Sequence, residues 1–425
     1  MATLYQGGKV AAEDSSELSV ADVLVEGGVI TAVGKGLKAP QEAEVVDCAG
    51  KVVMPSMFDV HVHLREPGQE GKETIQTGSE AAINGGVTGI VAMPNTLPAI
   101  DNGGMVQAVL DIAEDEARIP VYTTGCITKG RAGEELAEIA DMRDKGAVMI
   151  TDDGSPVSNP LVLRRALEYA REFDLIVASH CETMELSGAG AMNEGKVSYK
   201  LGLPGWPACS EEICLDRDIR LGQYTGSHIH IQHVTTARGM ETIRRFKEDG
   251  VKVTCEVSPH HLIFNEEDVG EYDTHYKMNP PLRTAEDNER LLAGLKEGVF
   301  DVIATDHAPH TAFEKNQDFG SAPFGITGLE TAVPSLYHHF VKDGKLGWDV
   351  VVKRYSAEPR RLLGIEAAAI AEGQRAELIV FDPERETVFT KEFMQSKSSN
   401  TPFLDQSVSG MVVHVRHGEE VLVDR

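Results

Sequence analysis

Three features of the sequence predict an α/β chain folded as a (β/α)8 TIM barrel with a small β-sandwich domain formed from both termini. Eight apolar runs suited to buried strands alternate with helical pattern, both ends of the chain are β-rich, and the residues most able to do chemistry fall where predicted strands stop. Strand–helix alternation builds a parallel sheet covered by helices, and eight such strands can close on themselves. An open doubly wound sheet is the alternative reading of the same alternation.

Residues 1–54 contain ADVLVEGGVITAV and EVVDCAGKVVM, short strands broken by glycine turns. From about residue 375 the pattern returns in AELIVFDP and GMVVHVRHGEEVLVD. Neither end is large enough for a good core of its own. The economical division is therefore a β domain made from 1–54 and 369–425, with a barrel over 55–368 inserted between its halves. In the barrel region the strand runs are 57–63, 88–94, 119–126, 147–152, 174–180, 228–234, 251–257 and 300–306. Stretches such as ELAEIADMRDKG and METIRRFKEDG supply the helical pattern between them. The longest irregular stretch, 307–328, follows the last strand and is long enough for a lid or binding loop.

Composition narrows the function. The 425 residues are 41% hydrophobic and 25% charged, ordinary for a globular chain. The net charge of −27 repels phosphate backbones, so no nucleic acid is expected as partner, and an anionic substrate would need local positive charge in its pocket. Six scattered cysteines form no CxxC pair, which fits a reducing compartment. The N-terminus lacks a signal-peptide pattern and no apolar run is long enough to span a bilayer. A cytoplasmic protein that does not engage membranes is expected.

The chemistry gathers at the strand ends. His61 and His63 end the first strand with the same parity, so both point to one side. His180 ends the fifth, His233 the sixth and Asp306 the eighth, while Asp152 and Asp153 follow the fourth. The ends of parallel barrel strands converge on one mouth. A single histidine at a strand end is more often structural, and an aspartate after a strand is more often a turn former. Four imidazoles and two carboxylates at convergent ends suit zinc, and their number exceeds the three protein ligands usual at one catalytic zinc. His228 and His230 have the opposite parity to His233 and are expected to face the helix layer, whereas His260 and His261 could line the mouth.

With these residues placed, the chain resembles the metal-dependent cyclic amidohydrolases, and within them the bacterial dihydroorotases. The matching stretches are DVHVHLREPGQEGKETI, MPNTLPAID, TDDGSPV, SHCE, HIQHV, CEVSPHHL, NPPLR, ATDHAPH and PFGITGLETA, spread from residue 59 to residue 332. The resemblance implies the reversible closure of N-carbamoyl-L-aspartate to dihydroorotate. It implies zinc, two per subunit, held by His61, His63, Asp153, His180, His233 and Asp306. Asp153 is preferred to Asp152 by its position relative to the later HCE. The resemblance further implies substrate contacts from His63, Arg65, Asn95, Asn279, His310 and the Phe324–Gly325 backbone, with Asp306 as the catalytic proton carrier. A homodimer is the expected assembly, and an aspartate transcarbamoylase is a candidate partner. The chain departs from many relatives at two places. Asp153 stands where they carry a carbamylated lysine, and the barrel entry reads PSMFD where they have Pro-Gly, from which only a local backbone adjustment is expected at Ser56.

Arg65 separates the readings. Dihydroorotate carries a carboxylate that neutral cyclic amides lack, and a guanidinium grips a carboxylate bidentately. A dihydropyrimidinase or allantoinase has no such requirement. A non-catalytic homologue that scaffolds a transcarbamoylase should have lost metal ligands, and a zinc-storage protein needs no carboxylate reader. The plainer role for Arg65 is an ion pair with Glu66 or another surface acid.

Overall fold

A computed structural model describes residues 2–425. Residues 2–55 fold into five strands: β1 (Ala2–Ala12), β2 (Ser15–Glu26), β3 (Val29–Gly34), β4 (Glu44–Asp47) and β5 (Val52–Pro55). Eight barrel strands follow. They are β6 (Met57–Val62), β7 (Val87–Ala92), β8 (Val121–Gly125), β9 (Ala147–Ile150), β10 (Ile176–Ser179), β13 (Ile229–Ile231), β14 (Val253–Val257) and β15 (Val302–Ile303). A two-stranded ladder of β11 (Met192–Asn193) and β12 (Gly205–Trp206) lies in the connection between β10 and β13. The chain ends in β16 (Glu377–Val388), β17 (Ser407–His417) and β18 (Glu420–Asp424).

The barrel strands pair in parallel in the order β15-β14-β13-β10-β9-β8-β7-β6. The ends of that order meet through a bridge between Val62 and His307, where His63 N–H donates to His307 O at 2.8 Å. Asp59 reinforces the closure from inside. Its carboxylate accepts from the His61 and Thr305 amides at 3.1 Å each and from the Tyr355 hydroxyl at 3.0 Å. Strands such as MFDVHV and VTGIVA are buried along their whole length, which is why they read as near-continuous apolar runs. The connecting helices are amphipathic: Ala237–Glu248 buries Gly239, Met240, Ile243 and Phe246, and the Thr236 side chain caps it by accepting from Gly239 N–H.

The two chain ends form a separate mixed sheet, with β5 joining the halves by pairing with β1 on one side and β16 on the other. Tyr5, Val23, Val25, Ile30, Val53, Leu378 and Val380 are part of its own core. Ser56, at the step from this sheet into the barrel, is fully buried. Its hydroxyl lies 2.5 Å from Thr88 Oγ1, and its carbonyl accepts from Arg360 at 3.0 Å. Between β16 and β17 the chain leaves the sheet over 389–406 and lies against the barrel mouth, where Phe389, Met394 and Phe403 pack with Ile263 and Phe264. Among the described residues no helix is long and apolar enough to cross a membrane.

Candidate active site

The strand ends deliver one cluster at the barrel mouth. His61 Nε2 lies 3.4 Å from Asp306 Oδ1 and 3.6 Å from Asp153 Oδ1. His63 Nε2 lies 3.0 Å from Asp306 Oδ1 and 3.5 Å from Asp153 Oδ2. On the other side, His180 Nδ1 and His233 Nε2 are each 3.5 Å from Asp153 Oδ1 and 2.9 Å from one another. All six residues are buried. The geometry brings Asp153 to the histidines and turns Asp152 away. Asp152 accepts from the Ile127 and Thr128 amides at 2.8 and 3.1 Å and so braces a neighbouring loop.

This donor set fits a metal ion. Two donors about 2.1 Å from one tetrahedral cation lie roughly 3.4 Å apart, close to most of these separations and too far for strong hydrogen bonds. His61 Nε2 and Asp153 Oδ1, which face each other across the cluster, are buried without a hydrogen-bond partner among the described residues, a cost that a bound cation would relieve. Three overlapping trios could each hold an ion: His61, His63 and Asp153; Asp153, His180 and His233; and His61, His233 and Asp306. Asp153 shares in two of them.

Three site residues adopt left-handed backbone: Arg65 (φ 62°), His233 (φ 31°) and Asp306 (φ 47°). Such conformations cost non-glycine residues of order 1–3 kcal/mol and persist where the surroundings hold them in place. The one at His233 corrects the expectation for its neighbours. His230 does not face the helix layer; its Nε2 lies 3.0 Å from Glu256 Oε2 inside the barrel, and His228 Nε2 meets Thr254 Oγ1 at 2.9 Å toward the barrel's far end. Ile229 and Ile231 fill the helix-facing positions. Counting parity back from His233 fails because the strand stops at Ile231 and the backbone turns before His233.

Carboxylates and an amide behind the histidines fix which ring nitrogen faces the cluster. His61 Nδ1 is 2.6 Å from Glu256 Oε1, His180 Nε2 is 3.2 Å from Glu182 Oε2, and His63 Nδ1 is 2.8 Å from Asn95 Oδ1. Such partners orient metal-binding imidazoles and raise their basicity. Glu256 and Glu182 went unassigned in the sequence, although both sit inside the distinctive stretches CEVSPHHL and SHCE. The cluster is rich in negative charge. Burial alone would lower the His61 pKa, but Asp306, Glu256 and Asp153 outweigh it and hold that imidazole well above its ordinary value. Burial would raise Asp306, yet His61 and His63 keep its carboxyl below the usual range.

Beside the cluster is a cavity of about 150 Å³ lined by His63, Arg65, Asn95, Asn279, His310, Phe324 and Gly325 among others. Every residue expected to touch substrate therefore borders one space. Arg65 is buried; its Nε donates to Pro309 O at 3.2 Å and one terminal nitrogen lies 3.4 Å from His310 Nε2. Burial lowers its pKa to about 10, which leaves it charged at neutral pH. The plainer role expected for Arg65 fails, because Glu66 instead accepts from the Ile75 amide at 2.8 Å, and Arg65 pairs with no carboxylate among the described residues. Burial, then the Arg65 charge, lower His310 to about 3, so it is neutral. Gly325 has φ 150° and packs so closely that an added Cβ would come within 2.6 Å of Ala308 O and 2.8 Å of the His310 ring. His260 and His261 are buried beneath the mouth, with His261 Nε2 2.9 Å from Pro280 O, and neither borders the cavity.

Comparison with known proteins agrees with this geometry. Residues 50–239 match the model of the Dihydro-orotase-like family. The chain is 44% identical to the dihydroorotase of Pelobacter propionicus, covering 97% of each chain. It is 42% identical to that of Acetivibrio thermocellus over 99% of this chain and 98% of the relative, and 42% identical to that of Geobacter metallireducens over 100% of both. Among solved structures, the L-hydantoinase (dihydropyrimidinase) of Arthrobacter aurescens superposes with a TM-score of 0.88 at 23% identity, covering 99% of this chain and 96% of that one. The dihydropyrimidinase of Brevibacillus agri gives 0.84 at 23% identity over 100% and 95%. At that identity the structural likeness speaks for the fold alone, whereas the sequence likeness runs the length of both chains: the chain belongs to the dihydroorotase family.

Proposed function

We propose that this chain catalyses the reversible closure of N-carbamoyl-L-aspartate to (S)-dihydroorotate and water, a step of pyrimidine biosynthesis. The observation that carries the reading is Arg65. A buried guanidinium without a carboxylate partner among the described residues lines the same cavity as the His/Asp cluster. A substrate with one carboxylate and one cyclic amide meets both at once. A neutral cyclic amide would leave the buried guanidinium without a counter-charge, which is costly. This disfavours a dihydropyrimidinase or allantoinase reading, and the intact cluster disfavours a non-catalytic one.

His61, His63, Asp153, His180, His233 and Asp306 would hold zinc, two ions per subunit. Zinc bound there would supply Lewis acidity and would lower the pKa of water toward about 7. The chain's own residues do the rest. Asp306, ionised beside His61 and His63, takes the proton of the attacking water and returns it to the departing ring nitrogen. Arg65 and neutral His310 bind the substrate carboxylate, and Asn95, oriented by His63, offers its amide N–H group to the cavity. Asn279 and the Phe324–Gly325 backbone hold the ring. Ring closure reverses these steps. A homodimeric, cytoplasmic enzyme able to associate with an aspartate transcarbamoylase belongs to the same proposal and rests on the family resemblance alone.

The test is turnover of dihydroorotate and of N-carbamoyl-L-aspartate by the purified chain, before and after chelation and again after zinc is restored. Turnover in both directions that is lost on chelation and regained with zinc is expected. Full turnover after verified removal of all metal would overturn the mechanism.

A further inference from the structure

The wall that carries His310, one of the residues proposed to read the substrate carboxylate, is held by one side chain from outside the barrel. Asn400 lies in the 389–406 excursion of the terminal sheet and is 3% exposed. Its Oδ1 accepts from the His310 amide at 2.9 Å. Its Nδ2 donates to Ala308 O and to Gly325 O, each at 3.0 Å. Its own carbonyl accepts from Thr327 N–H at 3.0 Å. One primary amide thus joins the start of the 307–328 loop to its far end and closes the wall on which His310 and Gly325 sit. No other side chain of that size supplies two donors and one acceptor in this arrangement without charge.

The excursion that carries Asn400 is itself anchored. Glu73 accepts from the Lys397 amide at 3.0 Å and from the Ser396 hydroxyl, and also lies 3.2 Å from Nε2 of His307, next to Asp306. Ser398 Oγ donates to Lys72 O at 2.6 Å. From within the loop, the Lys315 ammonium donates to Pro323 O at 3.0 Å and Gly325 O at 3.1 Å. The Gly325 carbonyl is therefore gripped from both sides, and Gly325 packs against the His310 ring with no room for a Cβ.

We infer that Asn400 is a positioning residue for the substrate carboxylate. It touches no reacting atom. It sets the His310 and Gly325 wall at the distance at which Arg65 and His310 grip the carboxylate together, so that recognition of the anionic end depends on the terminal domain. This rests on the proposed dihydroorotate chemistry. Loss of the amide should relax the carboxylate-binding wall and disturb the His/Asp cluster far less, because five of its six residues come from other strands and Asp306 precedes the clamped segment.

The test compares Asn400→Ser and Asn400→Ala with the parent, all zinc-loaded. Expected are a rise of about tenfold or more in KM for dihydroorotate, the scale of losing a buried hydrogen bond or two, with kcat within a fewfold and zinc content unchanged. Any trace turnover of dihydrouracil, which has no carboxylate but whose ring meets the same Gly325 wall, should lose far less of its kcat/KM. Serine retains one donor and one acceptor and should show the smaller rise. A parental KM in either folded variant would overturn the inference, as would an equal loss on dihydroorotate and dihydrouracil. Failure of both variants to fold would also overturn it and leave Asn400 a purely structural clamp. If the parent itself does not turn over dihydroorotate, the proposed function fails before any variant is made, so the two failures are distinct.

Discussion

The Nδ1 of His61 lies 2.6 Å from Oε1 of Glu256, and that contact commits the other ring nitrogen, Nε2, to the space between Asp153 and Asp306. Glu256 is fully buried and also accepts from the His233 amide at 3.1 Å, so one carboxylate orients the first strand end and braces the sixth. Glu256→Gln keeps the size and removes the charge. Zinc affinity is expected to fall about 10- to 100-fold, the usual scale for such partners, read by competition with a chromogenic chelator. Parental affinity would show that the carboxylate does not tune the cluster.

In the proposed reaction Asp306 carries the proton. Asp306→Asn retains one oxygen and loses the base, so kcat is expected to fall about 10²- to 10⁴-fold. Metal content, measured by elemental analysis, should fall less. Loss of metal in proportion to activity would make Asp306 a ligand first and would move the proton shuttle to another group.

Away from the site, Glu330 is buried, and burial raises its pKa from 4.5 to about 7 against hydrogen bonds from the Gln395 amide, the Asn84 side chain and the Ser396 amide. The folded state therefore holds this proton where the unfolded chain has released it. Its contribution to stability is full below the unfolded pKa and is lost as pH rises through about 7. Between about pH 5 and pH 8 the parent should lose about 2–3 kcal/mol relative to Glu330→Gln. Denaturant melts of both proteins across that range check it; a constant gap would contradict it.

The architecture was legible because buried parallel strands are continuous apolar runs, and all eight runs became barrel strands. The cluster was legible because strand ends must converge in a closed barrel, whatever the loops do. What sequence hid lies off those regularities. His230 points inward because local backbone at His233 breaks the alternation. Glu256 and Glu182 act through histidines far away or two residues off, and no periodicity marks a carboxylate as a partner of an imidazole. Asn400 is 90 residues from His310 in a stretch without apolar pattern, and only the folded chain brings them together.

The central claim is that Arg65 reads the substrate carboxylate. The most direct measurement is the ratio of kcat/KM for dihydroorotate to that for dihydrouracil, in the parent and in Arg65→Met, which keeps much of the apolar stem and loses the guanidinium. The claim predicts a strong parental preference for dihydroorotate that collapses in the variant. The loss on dihydroorotate should be on the order of 2–5 kcal/mol, the scale for one partner of a buried charge pair, with zinc content unchanged and any turnover of dihydrouracil reduced far less. Equal losses on both substrates, or an intact preference for dihydroorotate without the guanidinium, would contradict it.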